Sequence, residues 1–259
     1  MDGRAVELWT PPYFARDVRK PAAKMFSHTS KLNLPGDQGL QKLIEGNQRF
    51  ERGQAQFHSV CKETLADLAK GQHPFATILG CSDSRVPPEL IFDANFGELF
   101  IVRVAGNVIS PEVMGSLQYA ENHLRTSLFV VLGHEGCGAV KAALESKLGG
   151  IEHRSRIQTL VDNILPGLPD VSSQASEEEQ LTTAVEANVR WSIHQISETA
   201  EGQNAMKAGI RAMGAVCEIA SGHVRFLPRL RSSRSAEREE RTGSEQPLKH
   251  RGIALIDGW

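Results

Sequence analysis

Phe75-Ala-Thr-Ile-Leu-Gly-Cys-Ser-Asp-Ser-Arg85 is the stretch on which the reading of this chain turns. Its first half, Phe75 to Gly80, is a short apolar run that ends in Gly and Cys, too short and too unbroken for an amphipathic helix. Two more runs of this kind follow, Leu99 to Val104 and Leu128 to Gly133. Runs of that length without alternation read as strands buried on both faces. Helical patterns at Gly115 to Leu124 and Ala139 to Leu148 separate or follow them. Alternating strand and helix predicts an α/β fold, a mainly parallel β-sheet flanked by helices, in a single domain.

Working outward, Asp37 is placed to cap a helix that carries Leu40, Leu43, Ile44, Asn47 and Phe50 on one face and closes near Gly53. A shorter helix, Lys62 to Lys70, is expected to bury Leu65 and Leu68 and to stop at Gly71. Ser176 and Glu179 form a capping box for a long helix with Leu181, Val185, Val189, Ile193 and Ile196 on one face. Gly214 to Ile219 is the expected last strand. Residues 1 to 36, punctuated by Pro11, Pro12, Pro21 and Pro35, read as an N-terminal helical arm, and 37 to 228 as the catalytic domain. From Arg229 to Trp259 the composition turns to Ser, Arg and Glu, which predicts a disordered tail.

The chemistry sits where two predicted strands end. Cys81-Ser-Asp83-Ser-Arg85 follows one directly, and His134-Glu-Gly-Cys137 follows another. In an open parallel sheet, sites form in the crevice outside the carboxyl ends of the strands. Two Cys and one His converging there make the Cys₂His ligand set of catalytic zinc, with a fourth position left for water. Soft thiolates favour zinc over magnesium or calcium. A lone Cys after a strand is usually a small hydrophobe. The conjunction of Cys81, His134 and Cys137 with Asp83 and Arg85 is what points to Zn2+. Asp83 has two readings: a fourth ligand closing the metal site, or the partner of Arg85 in a bidentate ion pair that keeps it ionised.

Those segments, with Gly97-Glu-Leu-Phe100, Arg103, Asn107 and Gly138, resemble the β-class carbonic anhydrases over about Leu40 to Pro228. The resemblance implies reversible, zinc-dependent hydration of carbon dioxide to bicarbonate and a proton. It implies zinc hydroxide as nucleophile, oriented by an Asp83–Arg85 dyad, with Cys81, His134 and Cys137 holding the metal. A plant-like active-site subtype is expected, with Gln72 hydrogen-bonding substrate, Phe100 and Tyr119 lining the cleft, and a Gly138 backbone N–H facing it. It further implies a homodimer or homotetramer whose cleft residues come from two chains. Relatives with an inhibitory bicarbonate site carry a Trp and a Tyr where this chain has Ile78 and Cys217, so only Arg103 remains of that site and none is expected. Cys61 and Cys217 match no site residue of the family and are expected to be structural. Carbon disulfide or carbonyl sulfide hydrolysis on the same scaffold is the alternative reaction, and a zinc-stabilised binding protein without turnover the alternative class.

Composition narrows the partners. Lys and Arg number 29 against 31 Asp and Glu, a net charge of −2, which gives no global pull toward nucleic acid or an anionic membrane. No apolar stretch reaches the length of a membrane span. The first 20 residues carry Asp2, Glu7 and Asp17 and lack an apolar h-region, which argues against a secretory signal. Four cysteines are too few for a disulfide scaffold. A cytoplasmic location is expected, with an organellar leader left open by Arg16, Arg19, Lys20 and Lys24.

Overall fold

The computed structural model describes residues 34–56, 61–172 and 174–228. The expected arm, apart from its last three residues, and the expected tail lie outside them. The elements in chain order are α1 (Gly36–Glu51), α2 (Lys62–Leu68), β1 (Ala76–Gly80), α3 (Pro88–Ile91), β2 (Leu99–Arg103), α4 (Pro111–Tyr119), β3 (Leu128–His134), α5 (Gly138–Gly149), α6 (Arg156–Ile164), α7 (Glu177–Glu198), α8 (Ala200–Lys207), β4 (Arg211–Cys217) and β5 (Val224–Phe226). The five strands form one sheet in the order β2-β1-β3-β4-β5. β1 pairs in parallel with β2 and with β3, β3 pairs in parallel with β4, and β5 closes the edge antiparallel to β4.

The sheet has a buried layer on each face. Ile78, Leu128, Val130 and Leu132 face α1 and α3 through Leu40, Leu43, Ile91 and Phe92. Leu79, Phe129, Val131 and Val216 face the other side, where α5, α6 and α7 contribute Val140, Leu144, Val161, Ile164, Val185 and Val189. Every residue of β1 and β3 is buried, as their unbroken apolar runs require. β2 departs from that expectation: it is the sheet edge, and Leu99 to Val102 are only partly covered.

Other differences have local causes. Pro35, not Asp37, is the N-cap of α1, and Asp37 sits in the first turn, where its charge complements the helix dipole. α2 has no buried residue, and Leu65 is half exposed, while Leu68 is partly covered against Gly97. β5, α6 and α8 add to the sequence reading, and α4 ends in a π-helical turn at Ala120–Leu124. The capping box forms as read: Ser176 Oγ accepts from the Glu179 N–H, and the Glu179 carboxylate accepts from the Ser176 N–H.

Two glycines let α7 lie close on the sheet. A Cβ on Gly133 would come within 2.6 Å of Val189 Cγ2, and one on Gly214 within 2.7 Å of Val189 Cγ1. Val189 therefore fills a hole made by β3 and β4 one residue before His134. Val has few rotamers with which to evade an added methyl group. Gly133→Ala should destabilise the protein by about 1–3 kcal/mol through overpacking. Adding Val189→Ala should return part of that loss, as read from urea unfolding of the single and double variants.

Candidate metal centre

The strand order reverses direction at β1. From there the chain crosses to β2 on one side and returns to β3 on the other, so the carboxyl ends of β1 and β3 flank a switch point. Gly80 lies opposite Leu132 in the register, which places Cys81, the residue after β1, next to His134 at the end of β3. The short Glu135-Gly136 turn, with Gly136 at φ 61°, then brings Cys137 back as the N-cap of α5. The Glu135 N–H donates to the Cys217 carbonyl, and its carboxylate accepts from the Ile219 N–H, tying this turn to the end of β4.

Cys81, His134 and Cys137 are buried, and their ligand atoms lie within 4.8 Å of one another. They are the one group of three potential metal ligands of this kind among the described residues. The two sulfurs are 4.0 Å apart. Tetrahedral zinc with bonds of about 2.3 Å to sulfur separates two thiolates by about 3.8 Å. His134 Nδ1 lies 2.8 Å from the Glu135 carbonyl, which fixes the proton on that nitrogen. Nε2 then carries a lone pair, and it is a fully buried nitrogen with no hydrogen-bond partner among the described residues. A buried unpartnered nitrogen beside two buried thiols is expensive unless a cation completes it.

The thiols are unequal. The hydrogen bond with Cys137 holds the Cys81 thiol far below the usual thiol range against the opposing effect of burial, and the Gly106 and Asp83 N–H groups add to it. The same bond, with burial, pushes Cys137 far up. The two sulfurs thus titrate as a pair that shares one proton. Cys217, also buried, is raised to about 11 by burial and by Glu135 and Glu218, and remains a neutral thiol. Cys61 is exposed at the start of α2.

Asp83 and Arg85 form the bidentate pair that their spacing suggested. Arg85 Nε donates to Oδ1 at 2.9 Å, Nη2 to Oδ2 at 2.7 Å, and the Arg85 backbone N–H to Oδ1 at 3.0 Å. These bonds hold the Asp83 carboxyl well below the usual carboxylate range. Asp83 Oδ2 lies 3.9 Å from His134 Nε2, so the pair stands at the rim of the metal group. Arg103 reaches across from β2 and donates to the carbonyls of Cys81, at 2.9 Å, and Asp83, at 2.5 Å. It fastens a ligand and the carboxylate to one loop, a task that the sequence reading did not see. An Arg at the end of an edge strand beside a loop rich in carbonyls was the available signal.

The expected substrate residues are not gathered here within one chain. Phe100 lies opposite Thr77, four residues before Cys81 and so about 13 Å along the strand. Its ring stacks obliquely on Tyr119 with centroids 6.1 Å apart. Tyr119 is half exposed, and its ring lies 4.8 Å from that of His123. Gln72 is exposed, before the start of β1. Only Gly138, exposed at the first turn of α5, adjoins the metal ligands.

Residues 76–224 match the family model for carbonic anhydrase. The chain is 45% identical over 142 residues to "Carbonic anhydrase 2" of Mycobacterium tuberculosis, covering 53% of this chain and 69% of that one. It is 42% identical over 126 residues to a carbonic anhydrase of Mycolicibacterium smegmatis, covering 49% and 61%. The fold is similar to that of the β-carbonic anhydrase CafA of Aspergillus fumigatus, with a TM-score of 0.59 and 25% identity over 81% of this chain and 99% of that one. With the Cys₂His group at the switch point of a parallel sheet, these matches establish that the chain belongs to the β-carbonic anhydrase family, lyases whose general reaction is the hydration of carbon dioxide.

Proposed function

We propose that this protein is a zinc enzyme that interconverts carbon dioxide and bicarbonate, with Cys81, His134 and Cys137 holding the metal and Asp83 and Arg85 as the catalytic pair. The observation that carries the proposal is the buried, unpartnered His134 Nε2 beside two buried thiols, with an ionised carboxylate 3.9 Å away. Zinc bound there would supply Lewis acidity, which brings the pKa of water to about 7 in His₃ sites and less far where two thiolates neutralise the ion. Asp83, kept ionised by Arg85, is a pure hydrogen-bond acceptor. It would accept a hydrogen bond from the attacking oxygen and so turn a lone pair of that oxygen toward carbon dioxide. Arg85 holds both carboxylate oxygens, which turns Asp83 toward the guanidinium and away from service as a fourth ligand. That geometry favours the open, catalytic reading over a closed zinc-stabilised binding protein. A sulfide-release assay would detect the carbon disulfide or carbonyl sulfide alternative.

Gln72, Phe100 and Tyr119 are proposed to complete the cleft from a second copy of the chain. Supporting this, β2 is a sheet edge with half-covered apolar residues, and such an edge is a template for pairing. The three residues lie at the strand-start end of that edge, away from their own metal ligands. A cytoplasmic location fits a site built on two free thiols; no helix among the described residues is long and apolar enough to cross a membrane.

Three outcomes follow from these roles. The purified protein should carry about one zinc per chain, and Cys137→Ser should lose most of it by elemental analysis; full occupancy would sink the ligand assignment. Arg85→Ala should keep its zinc but lose at least about tenfold in stopped-flow hydration turnover, while wild-type turnover climbs above pH 8. Near-normal turnover in zinc-loaded Arg85→Ala at every pH would remove the pair from the mechanism. Light scattering should give at least twice the chain mass of 28.4 kDa, and an active monomer would contradict the shared cleft.

A further inference from the structure

A second set of buried polar groups lies behind the metal ligands, and neither the dyad nor the cleft uses it. The turn after β2 places Gly106 at φ 70° and Asn107 at φ 44°, two left-handed residues in succession. A β-carbon is excluded at Gly106 by space as well, since it would lie 2.9 Å from Ile164 Cδ1 and 3.0 Å from the Ala139 β-carbon. The Gly106 N–H points at the metal group and donates to Cys81 Sγ at 3.4 Å. From the opposite side α7 reaches the same turn with two buried side chains set among its apolar residues. Asn188, 1% exposed, donates through Nδ2 to the Gly106 carbonyl at 2.8 Å. Ser192, fully buried, donates to the Asn107 carbonyl at 2.9 Å, and the Asn107 amide returns a bond to Ser192 Oγ at 3.4 Å.

Stability alone does not account for Asn188. Its Oδ1 is buried without a hydrogen-bond partner among the described residues, so the amide satisfies the Gly106 carbonyl only by leaving its own oxygen unpaired, beside Val185 and Val189 on α7. A left-handed non-glycine residue beside it adds strain. Both penalties are borne at one point, where the turn presents its N–H to a sulfur. We propose that Asn188 is a positioning residue for the metal site: from α7 it holds Gly106 so that the Gly106 N–H stays hydrogen-bonded to the Cys81 thiolate, which orients that ligand and tempers its electron donation to the metal. Partners of this outer kind set the orientation and donor strength of ligands, and their loss typically weakens metal affinity by about 10–100-fold. Ser192 secures the neighbouring peptide and supports the same turn.

The inference rests on Cys81 being a metal ligand, and cobalt(II) replacing zinc tests the two separately. Wild-type protein loaded with cobalt should show an intense thiolate-to-cobalt charge-transfer band in the near ultraviolet; its absence would defeat the ligand assignment itself. In Asn188→Ala, and in the more nearly isosteric Asn188→Leu, the band should move to longer wavelength, because a thiolate that has lost a hydrogen bond gives up its electron more readily. Zinc affinity by chelator competition should fall by about 10–100-fold in both. Val189→Ala, which opens a cavity on the same helix against Gly133 and Gly214 and removes no hydrogen bond, should lower the melting temperature and leave the band in place. A band unmoved in both Asn188 variants, or moved equally in Val189→Ala, would show that Asn188 serves packing alone and overturn the proposal.

Discussion

Parallel pairing of β1 with β3 is the constraint from which the site follows. With Gly80 opposite Leu132, the residues leaving the two strands emerge side by side at the point where the strand order reverses direction. Cys81 and His134 need no long loop to meet, and Cys137 returns after one tight turn. The ligand atoms therefore stand on the most buried part of the fold, where backbone positions are held by ladder bonds on both sides. Sites built on such elements keep their geometry better than sites on loops.

Burial on that scale brings a problem that the surrounding residues solve. A histidine, two thiols and the ends of two strands lie in an apolar interior, where an unmatched polar group is penalised by about 1–3 kcal/mol. The Glu135 carbonyl takes the proton of Nδ1, Gly106 donates to one sulfur, and Arg103 satisfies the carbonyls of Cys81 and Asp83. Beside the two sulfurs, the inward-facing nitrogen of His134 has no hydrogen-bond partner among the described residues. A nitrogen and two sulfurs thus face one another within 4.8 Å, a donor set that suits a soft divalent cation. The rim holds the opposite chemistry: Asp83 and Arg85 form a charged pair that remains in reach of solvent, with Arg85 half exposed.

Much of this was legible in the sequence because it depends on short-range pattern. The two central strands, the long helix with its capping box, the gathering of Cys81, His134 and Cys137, and the Asp83–Arg85 ion pair all depend on local runs, on strand ends or on spacing of two or three residues. What the sequence hid depends on tertiary placement. The run from Leu99 to Val104 resembles a central strand, yet sheet order leaves it at the edge. Leu65 has the period of a buried residue yet stands half exposed. Asp37 looks like a cap, but Pro35, with its fixed φ, already begins the turn. Arg103 and Asn188 act on backbone carbonyls that lie 20 or more residues away, and no motif spacing encodes such bonds. For Asn188 the one visible trace is a pair of polar residues, 188 and 192, on the apolar stripe of α7.

The account stands or falls on the metal and its ligands. Zinc-edge X-ray absorption of the purified protein measures both at once. Two sulfur neighbours at about 2.3 Å and two nitrogen or oxygen neighbours at about 2.0 Å are the shell that Cys81, His134, Cys137 and one open position predict. A shell without sulfur, or with four protein sulfurs, would contradict the assignment on which the proposed chemistry depends.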